Sequence, residues 1–352
     1  MQERTQFFIT LAVTALLLSC CVLLYFSYQD LYRAGKIGST DEREFNAVIG
    51  RYFKFDSVIV GTSMSENFKC SEFDKVTGGY SQKMTTNGGD ISEISFMAHY
   101  AFQHQQIKNV LLDLLVYSYL YPEPKSAQLN KKKYENNLSA MDHLYDSVKL
   151  SVILKTVLAG KNSFAGDKFD RDKIYSWADL TPCGIRPFLL SLFETDFILK
   201  KHREEMKNYN AETVEKNICK YLLPMIQKHP DITFYLYFPP FTPLELLLSP
   251  SAHKHFRKTI MDKLLQYSNV RLYDYQSAGS IINNKYNYKD ITHYSSEVSS
   301  FIIKQMKVNK FLVTRENRQE AEKRFDNILA SVNQEMLWRD LQKQYDAMKN
   351  DK

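Results

Sequence analysis

Two short stretches far apart in the chain carry residue types that could share one reaction. "DSVIVGTSMSENF", residues 56–68, runs three β-branched apolar residues into a glycine and then sets two serines two apart. "YKDITHYSSEVSSFIIKQM", residues 288–306, sets Asp290 and His293 three apart, just before a helical pattern. A serine hydroxyl is a weak nucleophile until a base takes its proton. A histidine can be that base, and a carboxylate can orient the imidazole and steady its charged form. Ser63 as nucleophile, His293 as base and Asp290 as orienting acid therefore make a coherent set for acyl transfer. Each half alone is common by chance, and an ordinary turn serine is the competing reading of Ser63. Glu66 and Asn67 follow the same turn, where they either contact a substrate or cap the next helix. His99 and His104, five apart, and His253 and His255, flanking one lysine, do not have the spacing of a metal site.

The elements around these residues decide whether they can meet. "DSVIV" reads as a buried strand stopped by Gly61. "YSQKMTT" (80–86) reads as a weaker strand, and "KNVLLDLLVYSYLYP" (108–122) contains a central one. "DITFYLYFPP" (231–240) is stopped by two prolines, and "NVRLYDYQS" (269–277) is the last candidate. Helical patterns over 91–105, 211–229, 253–267 and the stretch after His293 alternate with them. About five strands alternating with helices predict a three-layer α/β/α, flavodoxin-like parallel sheet. In such a sheet ligands sit beyond the carboxyl ends of the strands. Ser63 falls there, in the turn after the first strand, where backbone N–H groups can hold a developing oxyanion. Asp290 and His293 open the helix after the last strand, with Ser295 or Ser296 as its cap and Glu297 in its first turn.

The chain has 352 residues, 44% hydrophobic and 13% aromatic, enough for a substantial core. Its net charge of +6 suits anionic glycans or membrane surfaces. No Lys/Arg run interleaved with aromatics points to nucleic acid. "FFITLAVTALLLSCCVLLYF", Phe7–Phe26, is uncharged and about 20 residues long, enough to span a bilayer core once. An uncleaved anchor fits better than a cleaved signal or lipoprotein site at "LLSC", because the apolar run continues past Cys20. Flanking charge does not settle its orientation. Cys70, Cys183 and Cys219 remain outside that run, an odd number without metal-like spacing, and read as free buried thiols. The expected organisation is an anchor over 1–28, a juxtamembrane segment over 29–50, an α/β domain over 51–312 with an insertion at 123–210, and a charged amphipathic helix over 313–352. That last helix either packs on the domain or serves as a docking or self-association element.

"GTSMSENF" near the start and "DITHYS" near the end resemble the SGNH (GDSL-like) hydrolase superfamily, and more narrowly its membrane-anchored bacterial branch acting on cell-envelope material. "YLYFPPFTPLELL" (235–247) resembles a segment that branch often shows. The resemblance covers most of residues 50–307. It implies Ser63, His293 and Asp290 in the roles above, and neither metal nor organic cofactor. It implies an oxyanion hole from the Ser63 backbone and a glycine in "TTNGGDISE", Gly88 first and Gly89 next; a plain turn that needs glycine is the competing reading. Two positions depart from the pattern. Thr62 stands where the superfamily has an aspartate, and no Asn follows the central strand, where Asp113 is the nearest polar residue and a weak candidate to contact substrate. The expected activity is a membrane-anchored serine esterase or O-acyltransferase, with acetyl as the acyl group, on a cell-surface polysaccharide at the outer face. A multi-pass membrane protein delivering the acyl group is the expected partner. The alternative is a catalytically weak or inactive binding or assembly subunit of a polysaccharide modification or export complex.

Overall fold

The computed structural model describes residues 53–122 and 170–350 apart from residue 179, with a few isolated positions before residue 53. The chain divides into two compact units, Ile49–Leu129 with Arg171–Lys352, and Met1–Val48 with Asn130–Asp170. The sheet and its helices belong to the first. Apart from those isolated positions, the apolar stretch at 7–26 and the juxtamembrane segment lie outside the described residues, as do residues 123–169 of the insertion. Among the described residues no helix is long and apolar enough to cross a membrane.

The fold is mixed α/β. Six strands, β1 (Ser57–Gly61), β2 (Ser81–Thr85), β3 (Asn109–Asp113), β4 (Thr233–Phe238), β5 (Val270–Asp274) and β6 (Leu312–Val313), form one sheet in the order β2-β1-β3-β4-β5-β6. The first five are parallel, as their alternation with helices predicts, and β6 runs antiparallel to β5. The sequence reading missed β6 because two residues are too few to show an alternation. Along the chain lie α1 (Cys70–Thr77), α2 (Ile91–His104), α3 (Ile185–Leu190), α4 (Phe197–Lys207), α5 (Ala211–Asn217), α6 (Leu223–Gln227), α7 (Pro243–Leu246), α8 (Pro250–Leu264), α9 (Ser296–Lys307), α10 (Arg318–Ser331) and α11 (Gln334–Asn350).

Helices cover both faces, so the central strands are apolar on both. Ile59, Leu111, Tyr235 and Tyr273 point into the layer of α1 and α9, where Phe73 meets Tyr235 edge-on at 5.5 Å. Phe234 and Phe238 point the other way, against Phe102 of α2 and Phe256 of α8. β2 reads weakly because it is polar yet wholly buried. Its polar groups are spent inside: Ser81 Oγ donates to Asp74 Oδ1 at 2.6 Å, and Lys83 Nζ donates to the carbonyls of Glu66 and Asp172, each at 2.9 Å. Pro239 and Pro240 end β4, since neither can donate to a ladder. The helix expected over 211–229 is interrupted by a π-turn at Ile218–Leu222, just before Pro224, whose ring a regular turn would not accommodate.

The C-terminal tail is two helices, not one. They break at Val332 and Asn333, where the Asn333 side chain accepts from the Met336 N–H at 2.9 Å and so starts α11. Both pack on the domain through Phe325, Leu341 and Tyr345, while Met336 is 66% exposed. Phe325 lies over Arg257, 4.1 Å from its guanidinium, with Phe238 at 4.8 Å. Arg257 in turn makes a buried two-pronged ion pair with Asp274 at the end of β5, at 2.7 and 2.8 Å.

Candidate active site

The carboxyl edge of the sheet begins with Gly61, whose φ of +141° is unsuited to a side chain. A Cβ there would fall 1.8 Å from Asp113 Oδ1. The chain then turns through residues 62–67, and α1 starts only at Cys70 with Lys69 as its cap. Ser63 therefore sits in a braced turn rather than on a helix N-terminus, and Glu66 and Asn67 do not cap α1. The brace is Asp113, the last residue of β3. Its Oδ1 accepts from the Thr62 N–H at 2.8 Å and the Ser65 hydroxyl at 2.7 Å, and its Oδ2 accepts from the Thr62 hydroxyl at 2.8 Å. Thr62 and Asp113, the two positions that depart from the resembled pattern, thus meet: the Thr62 hydroxyl is held by the carboxylate of β3. Burial pushes the Asp113 carboxyl up, and these three donors pull against it. Tyr294 adds a hydroxyl bond to the Met64 carbonyl at 3.0 Å. Of the two serines, Ser65 is committed to Asp113 and Ser63 faces His293.

Ser63 Oγ lies 2.9 Å from His293 Nε2. His293 Nδ1 lies 2.8 Å from Asp290 Oδ2, on the opposite side of the ring. Asp290 Oδ1 also accepts the N–H groups of Thr292 and His293, at 2.9 and 2.8 Å. Burial pushes the Asp290 carboxyl up, but the charge and hydrogen bonds of His293, with those two N–H groups, outweigh it and bring it down to about 2. The residues expected to act together, from opposite ends of the sheet domain, are brought into one hydrogen-bonded line.

Thr86 N–H donates to the Gly61 carbonyl at 2.8 Å, so the turns after β1 and β2 lie side by side. Gly88, at φ +64°, occupies the second of these turns, where no L side chain sits easily. The N–H groups of Ser63 and Gly88 have no acceptor among the described residues, which leaves both available to an oxyanion. The Gly89 N–H is already given to the Thr86 carbonyl at 3.1 Å, so it closes the turn and is not available as a donor.

Glu66, Asn67 and Asp113 are each 2% exposed. Asn67 ties down a later segment: its Oδ1 accepts from the Ala178 N–H at 3.1 Å and the Ser176 hydroxyl at 3.4 Å. Between those two stands Trp177, which sequence reasoning missed. Its indole N–H donates to the Ser63 carbonyl at 3.0 Å, and its ring meets that of His293 edge-on at 5.5 Å. Its rarity, as one of two tryptophans, was the one signal available.

The Asp290–His293 loop is itself held by residues from the "FPPFTPLELL" stretch. Thr242 Oγ1 donates to the Ile291 carbonyl at 2.7 Å. Thr292 Oγ1 lies 3.2 Å from His202 Nδ1 and 3.4 Å from Glu245 Oε2, and His202 and Glu245 pair at 3.0 Å. Tyr117 bonds the other Glu245 oxygen and stacks on His202 at 3.9 Å. Burial opposes charge on both groups, yet each favours the charged form of the other, so that His202 is raised and Glu245 lowered. Of the other histidines, His99 and His104 bond backbone carbonyls of their own helix at 2.7 and 2.8 Å, and His255 bonds the Tyr209 hydroxyl at 2.6 Å. His253 is buried, which pushes it down to about 4. Cys70 is buried, Cys183 half-buried and Cys219 exposed, all unpaired. Among the described residues no cluster of three or more His, Cys, Asp or Glu side chains could hold a metal ion.

No family model matches the sequence, and no curated protein matches it. A solved structure described as "a putative platelet activating factor from Streptococcus pneumonia" aligns with 85% of this chain and 99% of its own, at 9% identity and a TM-score of 0.33, a likeness too distant to carry an argument.

Proposed function

We propose that the protein is a serine esterase or O-acyltransferase, with acetyl as its acyl group, acting on cell-surface polysaccharide from a single N-terminal anchor. The observation that carries this reading is the unbroken line from Ser63 Oγ to His293 Nε2, at 2.9 Å, and from His293 Nδ1 to Asp290, at 2.8 Å. In the first half-reaction Ser63 Oγ attacks the ester carbonyl while its proton passes to His293 Nε2. The oxyanion is received by the N–H groups of Ser63 and Gly88. As the tetrahedral species collapses, the ester C–O bond breaks and the departing alcohol takes the proton back from His293. Water or a sugar hydroxyl then attacks the acyl-serine by the same route, giving hydrolysis or transfer. For transfer, a multi-pass membrane protein supplies the acyl donor.

One observation favours a second reading. The resembled family offers an oxyanion-binding Asn after the central strand, whereas here the nearest polar residue is Asp113, whose carboxylate is spent on the turn. A site with one donor fewer is slower by about 100- to 1,000-fold, which suits a binding or assembly subunit that keeps its triad residues. The two readings part when full-length protein in detergent is treated with a fluorophosphonate probe. An esterase or acyltransferase labels and releases 4-nitrophenol from 4-nitrophenyl acetate, and Ser63→Ala abolishes both. A folded wild-type sample that stays unlabelled sinks the serine-enzyme reading.

A further inference from the structure

Lys289 precedes Asp290, and its ammonium rests 3.8 Å from the centre of the Trp177 ring. That indole is fixed at both ends of its segment by Asn67 and, through its own N–H, by the carbonyl of Ser63. The main chain of Lys289 is fixed too, since its N–H donates to the His293 carbonyl at 3.1 Å across the bridge between Tyr288 and Tyr294. A half-buried cation therefore rests on the indole that touches both Ser63 and His293. Among the described residues it has no ion-pair partner. The carboxylate next to it in sequence, Asp290, is engaged by His293 on both oxygens. Other described lysines, such as Lys108 with Asp56, Lys263 with Glu215 and Lys285 with Asp340, do pair with an acid. With an ammonium against one of its faces, Trp177 does not offer that face for stacking a neutral ring; what the lip presents there is positive charge steadied by a π-face.

We infer that Lys289, backed by Trp177, is an anion-binding subsite at the mouth of the candidate active site, and that the glycan acted on carries a carboxylate or a phosphodiester close to its acylated hydroxyl. The inference rests on the esterase or acyltransferase reading and names its substrate class. A fixed ammonium receives an anionic oxygen without first being ordered, so the contact favours a charged sugar over a neutral one of the same shape. It also sets the register of the polymer, because the charge is bound while the neighbouring ester lies over Ser63.

The test reads binding apart from catalysis. In full-length protein carrying Trp338→Phe, Trp177 is the sole remaining tryptophan, and its fluorescence is titrated with three probes: oligogalacturonate, poly(glycerol phosphate) and neutral xylo-oligosaccharide. One or both anionic probes should bind about tenfold more tightly than the neutral one at low salt. Which of the two does so separates the carboxylate from the phosphodiester. Lys289→Met should remove that preference and Lys289→Arg should keep most of it. Lys310→Met, which removes an exposed lysine beside Phe311, should leave it intact. Equal binding of charged and neutral probes, or an anionic preference that survives in Lys289→Met, overturns the subsite. Phosphonate labelling of the same samples keeps the two ideas apart. Lys289-dependent binding without labelling supports the subsite and sinks the enzyme. Labelling without anionic preference sinks the subsite alone.

Discussion

Asp290 is charged in a place where burial by itself would leave it neutral, and the consequence is a measurable dependence on acid. Its carboxyl lies below its ordinary value of 3.8, at about 2, because His293 and two backbone N–H groups overcome the cost of burial. A carboxyl lowered in the folded state contributes stability that is fully present above its unfolded value. That stability is lost as pH falls through the folded one. Between about pH 4 and pH 2 the wild type should therefore lose stability more steeply than Asp290→Asn, as followed by circular dichroism in an acid titration; equal slopes would mean that the charge contributes nothing. Three residues of the site were legible in the sequence because each is of a type that acyl transfer requires and each stands beside a recognisable boundary, a strand end or a helix start. Trp177, Thr292 and His202 were not. Their roles come from where distant segments cross, and nothing in their own neighbourhoods marks them. Asn67 and Asp113 show a related limit: a polar residue near the turn looks available in the sequence, while in the fold its side-chain oxygens hold neighbouring segments.

At the scale of elements, the site is a meeting of turns, each with its own brace. The nucleophile turn leans on β3 through Asp113, and the histidine loop leans on the segment after β4 through Thr242 and Thr292. Thr292→Val removes the hydroxyl that lies between His202 and Glu245 while keeping the shape of the side chain. The loop would then hold His293 less well for attack. We expect kcat on 4-nitrophenyl acetate to fall about tenfold, which corresponds to about 1.4 kcal/mol, with KM little changed; a change in KM alone would place Thr292 in substrate binding instead. β1, β3 and β4 were readable because burial on both faces leaves short apolar runs between turn signals, whereas the polar β2 read only weakly. The π-turn before Pro224 and the two-residue β6 were not, since one is a backbone adjustment and the other is shorter than any period. The break in the tail hangs on a single capping Asn in a stretch that otherwise keeps a helical pattern.

For the molecule as a whole, the tail helices complete the core rather than hang from it. Phe325→Ala would open a void over the Arg257–Asp274 ion pair and let water reach it. A loss of about 3–5 kcal/mol is expected from the side chain and the cavity together, read as a lower urea midpoint of the full chain in detergent; an unchanged midpoint would show that α10 is dispensable to the fold. Long-range closure has a further consequence at this scale. Ser63 and His293 are 230 residues apart. Drawing the ends of so long a loop together costs about 5 kcal/mol of chain entropy before any contact repays it, and the strands between them must be in place first. A nascent chain, a proteolytic fragment or a misassembled copy thus carries the serine without its base. On the proposed reading the hydroxyl gains its reactivity only when the sheet closes, so an unfinished molecule would pass inert among acyl esters on its way to the native state.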